Sequence, residues 1–253
     1  MQIVDYDFPP DWTHLYLVPL SDSHIGDPHF DEEKFVGYVK WIAERENALT
    51  FLNGDLLDAA LLDSIGDTYD ATMNPNQALK YAKQILSPLK GKVLGVTEGN
   101  HEQRITKRTS IDVSEMIAES LDAPYSAEGM YLRFRFGKGR NGKNIVYTAY
   151  LSHGTGGGRT AGGKINALRR LNEICLADFY SIGHVHKIQL DQDVVFIPDH
   201  QNGNLIPFRR TYASSGAFLD YGGYGQRAMY SPNRTGVPRV RFSGKAKDVH
   251  VSI

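Results

Sequence analysis

The stretch Gly99-Asn100-His101-Glu102 is the one around which the rest of the chain can be interpreted. It follows a short apolar run at residues 93–96 and precedes the basic residue Arg104. This order predicts a loop at the end of a strand, where the sites of layered α/β proteins tend to lie. Other apolar runs in the first two-thirds of the chain end in similar clusters of glycine, aspartate and histidine.

Strands and helices alternate in the first half of the chain. Short buried strands are predicted at the apolar runs 15–20, 49–52 and 93–96. Helices are predicted over residues 31–47, 74–88 and 110–121. Asp31 and Asn74 are the expected N-caps of the first two helices. Because these strands are apolar on both faces, we expect a sheet that is covered by helices on both sides.

The second half of the chain has a different pattern. Residues 131–136 alternate as in a half-exposed strand, and a polar turn at 137–142 joins them to an apolar run at 145–151, which predicts a hairpin. One helix is predicted over 164–175 and a long loop over 221–236. Further strands are predicted at 179–182, 187–190, 194–197, 209–213 and 237–243. The shift near residue 130 indicates a second sheet within one domain spanning residues 1–253.

Composition and charge exclude several classes of protein. A formal net charge of −1 gives no electrostatic footprint for non-specific nucleic-acid binding, although it leaves a local basic groove open. The single cysteine, Cys175, excludes an intramolecular disulfide and a cysteine-based zinc site, and we expect a buried structural thiol. Neither a signal peptide nor a membrane span is apparent in the sequence, so we expect a cytoplasmic protein without a membrane partner.

Five clusters of candidate metal ligands follow predicted strands in order along the chain. They are Asp22-Ser23-His24, Gly54-Asp55-Leu56-Leu57-Asp58, Gly99-Asn100-His101-Glu102, Ser152-His153-Gly154 and Gly183-His184-Val185-His186. One such cluster alone is commonly a turn or a cap, but five in order indicate a metal site. Nitrogen and oxygen ligands without thiolate favour manganese, iron, zinc or similar ions over a structural zinc site.

At these residues the sequence resembles the calcineurin-like metallophosphoesterases. Their signature is D-x-H, G-D-x-x-D, G-N-H-[DE], a later H and G-H-x-H, and all five parts are complete between Asp22 and His186. The resemblance implies an α/β (α+β) fold, a four-layer αββα sandwich of two mixed β-sheets flanked by helices. It also implies two divalent metal ions, with manganese expected first and iron, zinc, nickel or cobalt as alternatives.

The resemblance further implies a role for each residue of the signature. The first metal would be bound by Asp22, His24 and His186, and the second by Asn100, His153 and His184. Asp55 would bridge the two metals. A hydroxide held between the metals would attack the phosphate ester, while His101 protonates the leaving group and Asp58 orients and charges His101.

A glycine-rich segment at residues 154–164 follows His153 directly. From Gly158 it nearly fits the P-loop pattern G-x-x-x-x-G-K, but Ile165 stands where serine or threonine is required. Two interpretations stay open for this segment. It is either a flexible connector or a mobile loop whose backbone N–H groups, Arg159 and Lys164 hold a second phosphate or a flanking part of the substrate. Arg104 is a further candidate for contact with the substrate phosphate.

The leading hypothesis is a phosphodiesterase that acts on nucleotides or on small or single-stranded nucleic acids. It depends on His101 as the proton donor, on the basic loop, and on Tyr221, Tyr224 and Tyr230 as contacts for a base; packing of these tyrosines onto the core is the structural alternative. A phosphomonoesterase, including a protein phosphatase, is the alternative enzyme. A non-catalytic metal-binding scaffold is the alternative from another class, and the oligomeric state stays open.

Overall fold

Two six-stranded β-sheets form the centre of the molecule. The computed structural model describes residues 2–61, 68–139, 142–156, 158–227 and 229–253. The strands are β1 Gln2–Asp7, β2 His14–Leu20, β3 Ala48–Asn53, β4 Val93–Thr97, β5 Tyr125–Ser126, β6 Met130–Phe136, β7 Ile145–Ser152, β8 Phe179–Ile182, β9 Gln189–Asp199, β10 Asn204–Ser214, β11 Arg239–Ser243 and β12 Val249–Ser252. The helices are α1 Glu32–Ala43, α2 Pro75–Leu86, α3 Glu102–Thr109, α4 Val113–Ser120, α5 Ala161–Arg169 and α6 Gly223–Arg227.

The first sheet contains the strands that lead to the first three ligand clusters. Its strand order is β12-β11-β2-β3-β4-β5, in which β2 to β5 run parallel and β11 pairs antiparallel with both β2 and β12. Two of the helices that cover it begin where the sequence predicts, since the Asp31 and Asn74 side chains accept hydrogen bonds from the backbone N–H groups of Lys34 and Gln77. These caps fix where α1 and α2 start relative to the sheet. The helix predicted over 110–121 begins later, at Val113.

The second sheet contains the predicted hairpin and has the strand order β1-β6-β7-β8-β10-β9. Strands β6 and β7 pair antiparallel, whereas β8 runs parallel to both of its neighbours, β7 and β10. Because β7 and β8 are parallel, their carboxyl ends meet at one edge of this sheet, as the ends of β2, β3 and β4 do in the other.

Burial divides the molecule into four layers. Leu17 and Phe51 of the first sheet and Phe134 of the second share one core between the sheets. The opposite face of the first sheet packs against α1, α2 and α4, and the opposite face of the second packs against α5. The αββα sandwich of two mixed sheets flanked by helices, which the resemblance implies, is therefore confirmed. The expectation of helices on both sides of the first sheet is wrong, because its inner face packs against the second sheet.

Several element boundaries differ from the predictions. The predicted separate strands at 187–190 and 194–197 are wrong, because β9 runs without interruption from Gln189 to Asp199. Asp191 and Asp193 lie between the two predicted strands. Their carboxylates form ion pairs with Arg169 and Arg210, which allows one strand to continue through them. Likewise, the predicted helix at 164–175 begins earlier and ends earlier, as α5 over Ala161–Arg169 followed by a 3-10 turn at Arg170–Glu173.

The polar N-terminal stretch contributes a strand that the sequence analysis missed. Strand β1 pairs parallel with β6, and the carboxylates of Asp5 and Asp7 form bidentate pairs with Arg133 and Arg135. These pairs also explain why alternate residues of β6 are charged. Since β1 joins the second sheet while β11 and β12 join the first, the shift near residue 130 does not separate the two sheets along the chain.

Two further expectations concern Cys175 and the membrane. Cys175 is partly rather than fully buried, and burial raises the pKa of its thiol to about 11, which is typical of an unreactive structural thiol. Within the described ranges, every helix is too short or too polar to cross a bilayer.

Candidate metal centre

The five ligand clusters meet at one place because each follows the carboxyl end of a strand. Asp22, Asp55 and Asn100 follow β2, β3 and β4 of the first sheet, and His153 and His184 follow β7 and β8 of the second. The carboxyl ends of parallel strands lie at the same edge of a sheet, which is where sites form in open α/β sheets. The two sheets therefore bring these five side chains to a common rim.

The chain makes sharp turns at this rim. Five candidate ligand residues adopt the left-handed conformation, with φ between 48° and 62°: Asp22, His24, Asp55, His184 and His186. This conformation costs roughly 1–2 kcal/mol for a residue other than glycine. Such strain is maintained only where surrounding contacts fix it, and it is concentrated at functional sites.

Glycines in the motifs allow the loops to approach each other closely. A Cβ atom on Gly99 would lie 2.0 Å from the backbone nitrogen of Asp55, and one on Gly183 would lie 2.1 Å from Ser21 Oγ. Any side chain at either position would push the ligand loops apart. The glycines of the G-N-H-E and G-H-x-H motifs are thus required by packing.

A first group of ligand atoms is formed by Asp22, His24, Asp55 and His186, whose nearest ligand atoms all lie within 4.8 Å of one another. His186 Nε2 is 3.2 Å from Asp22 Oδ1 and 3.1 Å from His24 Nε2. Two ligands at 2.0–2.1 Å from one metal ion lie about 2.9–3.4 Å apart. The spacing of these side chains therefore fits a single divalent cation.

A second group is formed by Asp55, Asn100, His153 and His184. Asn100 Oδ1 lies 3.2 Å from His153 Nε2 and 2.7 Å from His184 Nδ1, and Asp55 Oδ2 lies 3.2 Å from His153 Nε2. His153 Nδ1 donates a hydrogen bond to the Asn53 carbonyl, which leaves Nε2 as the ligand atom. Because Asp55 belongs to both groups, its carboxylate lies where a bridge between two cations is required.

The charges at Asp55 and His153 depend on each other. Burial alone raises the pKa of Asp55, but the neighbouring His153 outweighs it and brings that pKa well below the usual value. Burial lowers the pKa of His153, but Asp55 outweighs it and raises that pKa to about 10. Both side chains are almost completely buried, so Asp55 needs a positive partner there. A cation can replace the His153 proton in that role.

The chain thus has two six-stranded sheets, ligand motifs at the strand ends, and the carboxylate of Asp55 in two ligand groups. This arrangement agrees with the fold that the resemblance to the calcineurin-like metallophosphoesterases implies. No protein-family model matches the sequence, and no curated protein matches it.

Solved structures with a similar fold include proteins from three organisms. A predicted phosphoesterase from Streptococcus pneumoniae is 14% identical with a TM-score of 0.41, and covers 94% of this chain and 88% of its own. A Vps29 mutant from Entamoeba histolytica is 11% identical with a TM-score of 0.43, and the match covers 94% of this chain and 98% of that one. An NAD nucleotidase from Haemophilus influenzae is 14% identical with a TM-score of 0.43, and the match covers 95% of this chain and 49% of that one.

His101 lies beside both ligand groups without belonging to either. Its Nδ1 is 2.6 Å from the Asp58 carbonyl oxygen and 3.4 Å from Asp58 Oδ1. A carbonyl oxygen can only accept, so Nδ1 carries a proton and the nearby Arg104 Nη1 at 3.2 Å is a contact rather than a hydrogen bond. Burial lowers the pKa of His101, but the hydrogen bonds to Asp58 and the charge of Asp55 together outweigh burial, so the net shift is upward.

A third group, formed by His24, Asp58 and His101, also has spacing that suits a cation. Its Asp58 carboxylate lies 3.4 Å from His101 Nδ1 and 3.9 Å from His24 Nδ1. The Nδ1 of His101 is a hydrogen-bond donor, and His24 directs its other nitrogen, Nε2, toward His186. We therefore interpret Asp58 as a carboxylate that orients two imidazoles from behind.

Glu102 is a structural part of the site that the sequence analysis could not assign. It is fully buried, and its carboxylate accepts hydrogen bonds from the backbone N–H groups of Asp55, Leu57 and Gly99. Burial and the nearby Asp55 raise the pKa of Glu102 to about 7, although these N–H groups lower it in part. Glu102 thereby ties the Asp55 loop to the Gly99 loop.

Replacement of Glu102 by alanine is expected to lower the free energy of unfolding by about 3–5 kcal/mol. The change leaves three buried N–H groups without an acceptor, and each one costs roughly 1–3 kcal/mol. Urea unfolding of the metal-free protein measures the effect. Glu115→Ala is the matched control, since this exposed glutamate also lies in the first turn of a helix. A loss below about 1 kcal/mol for Glu102→Ala would contradict this account of the loop.

A cleft of about 320 Å³ opens onto His24, His101, His184 and His186. Candidate substrate contacts along its wall are Arg104, Lys164, His29, Tyr221, Tyr230 and Arg234. Lys164 Nζ donates to the Val185 carbonyl at 2.7 Å, so it holds the loop between His184 and His186.

Other residues named from the sequence lie beyond the cleft or outside the described part of the chain. Arg159 is exposed, with its guanidinium 5.6 Å from the Tyr230 ring centre, and it joins the glycine-rich segment to the late loop. Gly157 of that segment and the Tyr224 side chain lie outside the described residues. The late loop, predicted without regular structure, contains the short helix α6.

Proposed function

We propose that this chain is a metal-dependent phosphoesterase that holds two divalent cations and hydrolyses phosphodiesters. The observation that carries the proposal is the shared position of Asp55 between two ligand groups, directly beside an open cleft. The separation of two cations joined by one carboxylate, about 3.5–4 Å, suits the two-metal hydrolysis of phosphate esters.

The residues of the two groups would hold the cations. Asp22, His24 and His186 would bind one, Asn100, His153 and His184 the other, and Asp55 both. Two divalent cations in these positions would lower the pKa of a water molecule and polarise the phosphate oxygens. The donors are nitrogen and oxygen only, which supports manganese first and iron, zinc, nickel or cobalt as alternatives.

His101 would protonate the leaving group. In the reaction, a water oxygen forms a bond to phosphorus as the bond to the leaving oxygen breaks, and that oxygen needs a proton. The carbonyl and carboxylate of Asp58 hold the Nδ1–H group, and Nε2 lies on the ligand side, 4.0 Å from Asp55 Oδ2. This orientation supports Nε2 as the proton donor and Asp58 as its positioning residue.

Features of the cleft support a nucleotide or a short single strand as substrate. Arg104 lies next to His101, and Arg234, Tyr221 and Tyr230 line the wall beyond it. Guanidinium groups suit phosphates, and exposed aromatic rings suit stacked bases. We include Arg159 and Lys164 in the proposed substrate site because both belong to the segment beside the cleft. Lys164 lies in α5, which places it at the wall of the cleft.

The proposal predicts metal-dependent hydrolysis by the purified protein. After treatment with a chelator the protein should be inactive, and added manganese should restore two ions per chain and hydrolysis of bis(4-nitrophenyl) phosphate. The diester should be hydrolysed with a higher kcat/KM than 4-nitrophenyl phosphate. A faster monoester reaction would favour the phosphomonoesterase instead. Bound metal without hydrolysis of either ester, for manganese, iron, zinc, nickel and cobalt alike, would favour the scaffold.

A further inference from the structure

A second cavity, of about 410 Å³, reaches the metal centre separately from the cleft. It is lined by Asn100 and His153 of the second ligand group, whereas the cleft is lined by His24 and His186 of the first group and by His184 of the second. The two cavities have no lining residue in common. The glycine-rich segment lies between them, since Gly156 faces the cleft and Thr155 faces the second cavity.

The wall of the second cavity is largely apolar. Leu171, Ile174 and Ile182 line it together with two alanines, and Ile174 is 54% exposed. An apolar wall next to a few polar side chains, here those of the candidate ligands Asn100 and His153, is typical of a pocket for an organic group. A volume of this size also exceeds what a phosphate or a few water molecules require.

The charges around the second cavity disfavour a polyanion as its occupant. Glu98 and Glu128 line it along with one cation, Arg170, so carboxylates outnumber guanidinium groups. The cleft is different, because three cations, Arg104, Lys164 and Arg234, balance the three carboxylates that line it, Asp27, Asp58 and Asp220. A second phosphate is therefore better accommodated in the cleft, and an uncharged organic group in the second cavity.

We infer that the second cavity binds the retained alcohol group of a phosphodiester, an uncharged organic substituent that contains a ring. The inference rests on the proposed phosphodiesterase function. During hydrolysis the P–O bond to the leaving group breaks on the His101 side and that group departs through the cleft. The P–O bond to the retained group stays intact, and this group lies against Leu171 and Ile174. A monoester has no such substituent and leaves the cavity unfilled.

Substrates with one leaving group and different retained groups test this inference. The wild-type protein loaded with manganese should hydrolyse phenyl 4-nitrophenyl phosphate with a kcat/KM about tenfold above that of methyl 4-nitrophenyl phosphate, after correction for their uncatalysed rates. Ile174→Trp places a larger ring in the cavity and should remove this preference by lowering kcat/KM for the phenyl ester about tenfold. In crystals soaked with diphenyl phosphate, one ring should lie against Leu171.

The control and the contrary outcomes are separate from those of the proposed function. Ile111→Trp is the matched control, because Ile111 is 52% exposed and lines neither cavity. Equal kcat/KM values for the two esters in the wild type, or a preference that Ile174→Trp does not change, would overturn the inference and leave the phosphodiesterase intact. If neither ester is hydrolysed with any of the candidate metals, the proposed function itself fails, and the inference with it.

Discussion

Replacement of His101 by alanine is expected to lower kcat by about 10²–10⁴-fold for a diester with an alkyl leaving group, while both metal sites stay filled. The side chain contributes no atom to the two groups that share Asp55, so its loss should not remove a metal ligand. It removes the only imidazole that Asp58 holds by a short bond to Nδ1 among the described residues. Metal analysis of the purified variant and steady-state kinetics measure the two effects.

The leaving group separates proton donation by His101 from a merely structural role. A 4-nitrophenolate leaves without protonation, so His101→Ala should slow a 4-nitrophenyl ester much less than an alkyl ester. Equal losses for both esters would mean that the variant disturbs the site rather than the proton transfer. A loss of one metal ion would show instead that His101 is a ligand, as the third group with His24 and Asp58 would require.

Replacement of Asp55 by asparagine is expected to remove both cations at micromolar metal concentrations and to abolish measurable turnover. An amide has the shape of a carboxylate but lacks its charge and one of its acceptor oxygens. It cannot neutralise two cations from one position, and it also ends the ion pair with His153. The number of metal ions per chain, measured by elemental analysis after dialysis, records the effect.

Asp27→Asn provides the control for Asp55→Asn. Asp27 lines the cleft near the metal centre but contributes to neither ligand group. In the wild type the His29 backbone N–H group donates a 2.7 Å hydrogen bond to Asp27 Oδ1, and an asparagine at this position can still accept it. The control should keep its full metal content, whereas retention of both metals by Asp55→Asn would contradict the bridging role.

The ligand positions could be predicted from the sequence because each is marked locally. A short apolar run followed by glycine and a polar side chain indicates the end of a buried strand, as at Asp55 and Asn100. Parallel strands then bring the ends together without any further information about long-range contacts. The four layers, by contrast, came from the resemblance to the family. Strands that are apolar on both faces predicted helices on both sides of one sheet, whereas the inner face of the first sheet packs against the second sheet.

Other features depend on contacts that no local pattern announces. Glu102 follows His101 directly, yet its role depends on backbone N–H groups of Asp55 and Leu57, more than 40 residues away in sequence. Helix α3 was missed because Ile105 is the only apolar residue buried along it, so no helical period is visible.

The second cavity was missed for a related reason. Its wall combines residues of α5, the following turn and the loops around β4 and β7, and no motif links them. The contact made by Lys164 could not be predicted for the same reason. The sequence shows a lysine after glycines, whereas only the fold shows that its Nζ reaches the Val185 carbonyl. Contacts with the substrate and the role of each ligand therefore stay predictions, although the distances among the candidate ligand atoms fit bound cations.

The central claim is that one carboxylate, Asp55, serves two cation sites. The most direct measurement is an anomalous difference map at the manganese edge from crystals of the manganese-loaded protein. The account predicts two peaks about 3.5–4 Å apart on either side of Asp55, one near Asp22 and one near Asn100. A single peak, or a peak between His24, Asp58 and His101, would contradict it.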